Sequence, residues 1–155
     1  MTAFDEIIQG FYHYIENDAD FFHYFELSEE ECMKVAEQRS SVLLKEAASY
    51  LSRKIVPLKV FSLNADETGF AETLNYNEQN LLVKAMFLCY LQRDIAKLRA
   101  FEGYLTSSDL NIFSPANERK TFSEMVSAYE DQLKIEISEY CMLDRNTGEF
   151  RQICT

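Results

Sequence analysis

Apolar residues recur along most of this chain three and four positions apart, the spacing of a helix with one buried face. Phe4, Ile7, Ile8, Phe11 and Ile15 form the first such stripe, over residues 2–15. A polar break at residues 16–20 follows. Then comes Phe21-Phe22-His23-Tyr24-Phe25, either a turn that plugs the core or an exposed aromatic patch. Ser28, with Glu31 three residues on, has the form of a capping box. It opens a second helix that should reach about Ile55, where Pro57 stops it. Its apolar positions are Met33, Val35, Ala36, Val42, Leu43, Ala47, Tyr50, Leu51 and Ile55. From 81 to 91 every residue except Lys84 is apolar or aromatic, with no Gly or Pro. A helix apolar nearly all round must be covered on most sides, so residues 77–101 read as the central helix, capped at Tyr76 or Asn77 and closed near Gly103. Ser114-Pro115 is a helix start. The last long helix runs from there to about Ser138, with Phe122, Met125, Val126, Tyr129, Leu133 and Ile137 on its stripe and Ile135 off it.

Two segments fall outside these helices. Residues 56–76 form a long connection, which Phe61, Leu63, Phe70 and Leu74 tack onto the bundle, with residues 64–69 as its tip. Connections of that length in a compact domain are often functional, which makes Asn64, Asp66 and Glu67 candidate interface residues. In the tail, residues 140–143 and 150–154 flank Asp144-Arg-Asn-Thr-Gly148, a hairpin signal. A lone hairpin is marginal in water, so it leans on its own bundle or on another chain. Tyr140, Leu143, Phe150 and Ile153 are the candidate contact residues there. The expected fold is mainly α: a bundle of about four helices over residues 1–139, with a long inter-helix connection, and a C-terminal β-hairpin arm over residues 140–155.

The composition narrows the class. The 155 residues fit one domain, and 4 Gly and 2 Pro favour long helices over a turn-rich β fold. A net charge of −11 argues against a surface that grips DNA phosphates, and suits a basic partner or a surface that repels DNA. The charge is uneven. Residues 1–31 hold nine acidic residues and no Lys or Arg, and residues 34–59 hold six basic residues against Glu37 and Glu46. Such blocks pair within a chain, pair head to tail between copies, or stay solvated. The apolar run of the central helix is too short to cross a bilayer, so no membrane association is expected. No basic and apolar leader opens the sequence, so synthesis in the cytoplasm is expected. Cys32, Cys89, Cys141 and Cys154 show no C-x-x-C spacing and read as free thiols.

Chemistry is sparse. Four scattered glycines make no phosphate-binding loop. A metal site would need His13 and His23 to converge with a carboxylate such as Glu16 or Asp20, and neither Glu-x-x-His nor His-x-x-x-His occurs. No Ser or Cys sits in a nucleophile context. The expectation is a protein that is not an enzyme, with no cofactor.

An ordered series of motifs runs through residues 37–140. Val-Leu-Leu-Lys-Glu-Ala-Ala-Ser-Tyr-Leu at 42–51 comes first, then a connection ending Phe-Ala-Glu-Thr-Leu at 70–74. Asn-Glu-Gln-Asn-Leu-Leu-Val-Lys-Ala-Met-Phe-Leu-Cys-Tyr-Leu at 77–91 matches a helix patterned as Glu, two residues, Leu, then Met and an aromatic-Leu pair. Leu-Thr-Ser-Ser-Asp-Leu-Asn-Ile-Phe-Ser-Pro-Ala-Asn at 105–117 precedes the closing helix, and its 109–117 part is the most specific. The aromatic run at 21–25 and the tail hairpin depart from the pattern. In this series the chain resembles the head–tail connector (neck or adaptor) proteins of tailed bacteriophages that infect Gram-positive hosts. The resemblance implies a virion structural subunit in the phage neck. It would form a homo-oligomeric ring below the portal, matched to portal symmetry, and extend a channel that DNA passes without specific binding. Its partners would be the portal protein and the next neck or tail component. The competing reading, resting on net charge alone, is an acidic inhibitor or DNA mimic that binds a nucleic-acid enzyme.

Overall fold

A computed structural model describes residues 2–16, 18–55, 59–102 and 115–151. It is mainly helical. Four long helices, α1 (Phe4–Tyr14), α3 (Glu29–Lys54), α4 (Tyr76–Glu102) and α5 (Pro115–Met142), are joined by a single-turn α2 (Ala19–Phe22) and a 3-10 turn (Lys59–Phe61). α4 packs against α1, α3 and α5, which explains its lack of a polar face. Leu81, Leu82, Val83, Ala85, Met86, Leu88, Tyr90 and Leu91 are all buried along it. Each large aliphatic side chain removed from water there contributes about 1.5–3 kcal/mol. Lys84, the exception in that run, bonds both carboxylate oxygens of Glu136 on α5 at 2.7 Å, so its charge is matched where it is half-buried.

The helix starts follow local chemistry. At α3 the capping box is complete: the Glu31 N–H donates to Ser28 Oγ, and the Ser28 N–H donates to Glu31 Oε2 at 2.9 Å. These bonds hold the Glu31 carboxyl below its ordinary range. α4 has the same device one residue earlier than the sequence indicated. Asn75, and neither Tyr76 nor Asn77, is the cap: its Oδ1 accepts from the Glu78 N–H at 3.0 Å, and Glu78 Oε2 accepts from the Asn75 N–H at 2.8 Å. α5 begins at Pro115, as expected. Its proposed cap Ser114 and the expected α4 stop at Gly103 lie outside the described residues.

The aromatic run at 21–25 divides between its two readings. Phe21 is buried and meets Phe11 and Tyr90 edge-on, with ring centroids 5.9 and 5.8 Å apart. The Arg39 guanidinium lies 4.3 Å over the Phe21 ring, and Phe25 stands fully in solvent. Met33 and Val42, expected on the buried stripe of α3, are exposed, because the face that meets α1 and α4 is carried by Ala36, Leu43, Leu44, Ala47, Ala48 and Leu51. His13 and His23 are both exposed.

The long connection is tied down more fully than its length suggested. Its closing half pairs with the start of the chain: Phe70 N–H donates to the Thr2 carbonyl at 3.0 Å, and Leu74 N–H donates to the buried Thr2 hydroxyl at 2.8 Å. Gly69 sits where this crossing is tightest. A Cβ there would meet the Thr2 carbonyl oxygen at 2.8 Å. No helix among the described residues is long and apolar enough to cross a membrane.

Candidate interaction surface

The chemistry of the molecule concentrates at the base of α4. Glu78, in its first turn, is completely buried. The cap geometry aims its carboxylate at the Asn75 N–H, and two groups from the C-terminal segment complete its shell. The Tyr140 hydroxyl donates to Oε1 at 2.6 Å. Arg145 donates from Nε to Oε1 at 2.6 Å and from Nη2 to Oε2 at 3.2 Å. The rest of the Arg145 fork is used as well: Nη1 holds Glu72 at 2.6 Å, and Nη2 holds the Thr73 carbonyl at 2.7 Å. The guanidinium pKa is raised by its bond to Glu78, and the Tyr140 phenol is raised by burial and then by the same carboxylate. A buried carboxylate with four hydrogen-bond donors around it, two of them from one guanidinium, is fully satisfied. It is built to hold segments together, with no lone pair turned to a ligand.

This clamp decides how the tail sits. α5 continues to Met142, so Tyr140 belongs to its last turns and not to a strand, and the helix crosses the boundary expected at 139/140. Tyr140 follows Leu133 and Ile137 on the buried stripe. Among the described residues the hairpin shows one antiparallel bridge, Leu143 to Phe150, closed by Asp144 N–H to the Glu149 carbonyl at 2.7 Å and Arg151 N–H to the Met142 carbonyl at 2.8 Å. Gly148, at φ 71°, supplies its left-handed residue. Arg145 lies in that turn, so the turn leans on its own bundle.

The candidate interface residues therefore separate. Asn64 is turned inward: its Oδ1 accepts from the Thr68 and Gly69 N–H groups and shapes the loop. Asp66 is exposed at the tip. Glu67, at φ 52°, bonds Lys45 on α3 and fixes the tip to the bundle. Tyr140 is buried and Leu143 half-buried, whereas Phe150 is 74% exposed, and Ile153 lies outside the described residues. Tyr76, 80% exposed, and Met142, 57% exposed, flank the same end of the bundle. A groove of about 390 Å³ runs beside the clamp between α4 and α5, lined by Asn77, Asn80, Leu81, Glu136, Glu139 and Leu143 among others. Of this cluster the sequence indicated Tyr140 but not Glu78, Arg145 or Glu72, and for those three the Asn75-x-x-Glu78 spacing is the one available signal.

Among the described residues, no three His, Cys, Asp or Glu side chains converge as metal ligands. Cys32, Cys89 and Cys141 are free thiols. No protein-family model matches this chain, and no curated protein or solved structure does either.

Proposed function

We propose that this chain is a virion structural protein, a head–tail connector subunit that forms a ring below the portal and extends the DNA channel. The observation that carries this reading is the ordered series over residues 37–140. Its described segments fall on consecutive parts of one bundle: 42–51 on α3, 70–74 on the tied connection and 77–91 on α4. Most of the 105–117 motif lies outside the described residues. Two further features support the reading. The net charge of −11 suits a channel wall that DNA slides past, because phosphates are repelled. The end of the bundle near the α4 base presents Tyr76, Met142 and Phe150 to solvent on a clamped support, as a docking platform requires.

The test is co-assembly. A candidate portal protein from the same genome is purified as rings, mixed with this chain, and imaged by electron microscopy. Rings that gain a layer of density with portal symmetry support the reading. Portal rings that stay bare, with this protein left free, overturn it. Competition with DNA for a basic nucleic-acid enzyme would put the acidic-mimic reading in its place.

A further inference from the structure

α5 carries two apolar stripes. One, through Val126, Leu133, Ile137 and Tyr140, is buried against the bundle. The other runs Met125, Ala128, Ile135 and Met142, with the polar Gln132 and Glu139 at the intervening steps, and all six are exposed. Met125, Ile135 and Met142 keep 50%, 60% and 57% of their surface in solvent. Its steps alternate three and four, the 3.5-residue repeat of a seam that packs on another helix. A solvated face has no reason to hold Met and Ile at that repeat. Glu124 and Asp131 edge the seam, and from Lys120 to Met142 two lysines stand against five carboxylates, a net −3. A second α5 is therefore a poor occupant, since like charges would meet along its edges.

The complement lies elsewhere on the same molecule. A groove of about 480 Å³ between α3 and α4 has Val42, Ser49, Tyr50 and Cys89 in its lining, with Lys45, Arg53 and Glu46 as its charged residues, the last paired with Arg93. Val42 is 48% exposed, and the Tyr50 hydroxyl has no hydrogen-bond partner among the described residues. Residues 39–54 of α3 hold Arg39, Lys45, Arg53 and Lys54 against Glu46, a net +3. Lys45 bonds Glu67 and Arg53 bonds the Ser49 carbonyl, which positions both cations beside the groove. Seam and groove face different ways. Glu130 and Lys134, whose charges act on Tyr50, lie roughly 140° around α5 from the seam, at about 100° per residue. One copy cannot fold its seam into its own groove.

We infer that the α5 seam of one copy docks in the α3/α4 groove of the next, a head-to-tail contact with Ile135 and Met142 as apolar anchors and Glu124 and Asp131 facing Lys45 and Arg53. It rests on the ring reading above and names the surface by which copies join. A heterologous contact of this kind propagates, and closes into a ring when its rotation permits.

Sedimentation velocity on the full chain tests it, with Ile135→Asp blocking the seam and Val42→Glu blocking the groove. Both positions are half exposed, and circular dichroism checks that both variants fold. The wild type should associate as its concentration rises toward about 1 mM. Each variant alone should associate at least about tenfold more weakly. An equimolar mixture should form 1:1 dimers and nothing larger, because each variant retains one sound face. The inference is overturned if the mixture stays monomeric while the wild type associates, if Val42→Glu associates as well as the wild type, or if the wild type stays monomeric throughout. Each of these leaves the connector reading standing, because that is decided on portal rings.

Discussion

Arg145 and Glu78 lie 67 residues apart in the chain and meet with Nε 2.6 Å from Oε1. The carboxylate is fully buried and the guanidinium three-quarters so, which makes this pair unlike the surface pairs of α3 and α5. Exposed pairs contribute between nothing and about 1 kcal/mol, whereas removing one member of a buried pair strands the other.

Arg145→Ala is therefore expected to destabilise the protein by about 3 kcal/mol, because Glu78 keeps only the Tyr140 hydroxyl and the Asn75 amide as donors. Arg145→Lys should recover less than half, since an ammonium cannot span Glu78, Glu72 and the Thr73 carbonyl together. Urea unfolding measures both. A loss under about 1 kcal/mol for the alanine variant would show that the clamp does not hold the tail.

The two loop glycines should respond for different reasons. Gly69→Ala drives a Cβ against the Thr2 carbonyl and is expected to cost about 2 kcal/mol as the crossing spreads. Gly148→Ala meets no atom within 4 Å but must hold φ near 71°, at a cost of about 1 kcal/mol. Thermal melts rank them, and an inverted order would place the tight crossing elsewhere.

Tyr140 makes a pH prediction. Burial and the Glu78 carboxylate raise its phenol in the folded state. A group whose folded pKa exceeds its unfolded value contributes stability fully below the unfolded value, and loses it as pH rises through the folded one. Tyr140→Phe should therefore cost about 1–2 kcal/mol near neutrality. The gap to the wild type should narrow once the pH passes about 10, where the unfolded phenol ionises. Stability curves collected from neutral to strongly alkaline pH, and showing a constant gap, would contradict this.

Cys89 should be inert. Burial, with Glu46 nearby, pushes its thiol up to about 11. At pH 8 its alkylation, read residue by residue by mass spectrometry, should be about two orders of magnitude slower than that of a free cysteine. A rate near that of free cysteine would mean that the α3/α4 groove opens.

Much of the helical frame was legible because the apolar stripes and caps are local. Ser28 with Glu31, and Pro115, need no tertiary information. The errors have physical causes. Asn77 obscured the cap two residues earlier at Asn75, where the Glu78 side chain closes the box. The run at 140–143 is too short to tell a strand from a helix by alternation, although Tyr140 continues the stripe of Leu133 and Ile137. Met33 and Val42 join the expected stripe on hydropathy alone, whereas the close-packed face takes Leu44 and Ala48 beside the expected Ala36 and Ala47. The pairing of Glu78 with Arg145 leaves no mark in the sequence, because a contact across 67 residues has no periodicity to read.

That separation also imposes an order of events on the ribosome. A growing chain completes Glu78 well before Arg145 is made, and until then the carboxylate has to remain hydrated. The first turn of α4 therefore cannot seat in its final position during that interval, and the connection that shares the clamp through Glu72 and Thr73 stays loose with it. α1 and α3 are left to assemble against the middle of α4 first, and emergence of the last turn shuts the base of the bundle. A nascent chain stalled short of residue 145 should carry an ordered middle and a protease-sensitive base.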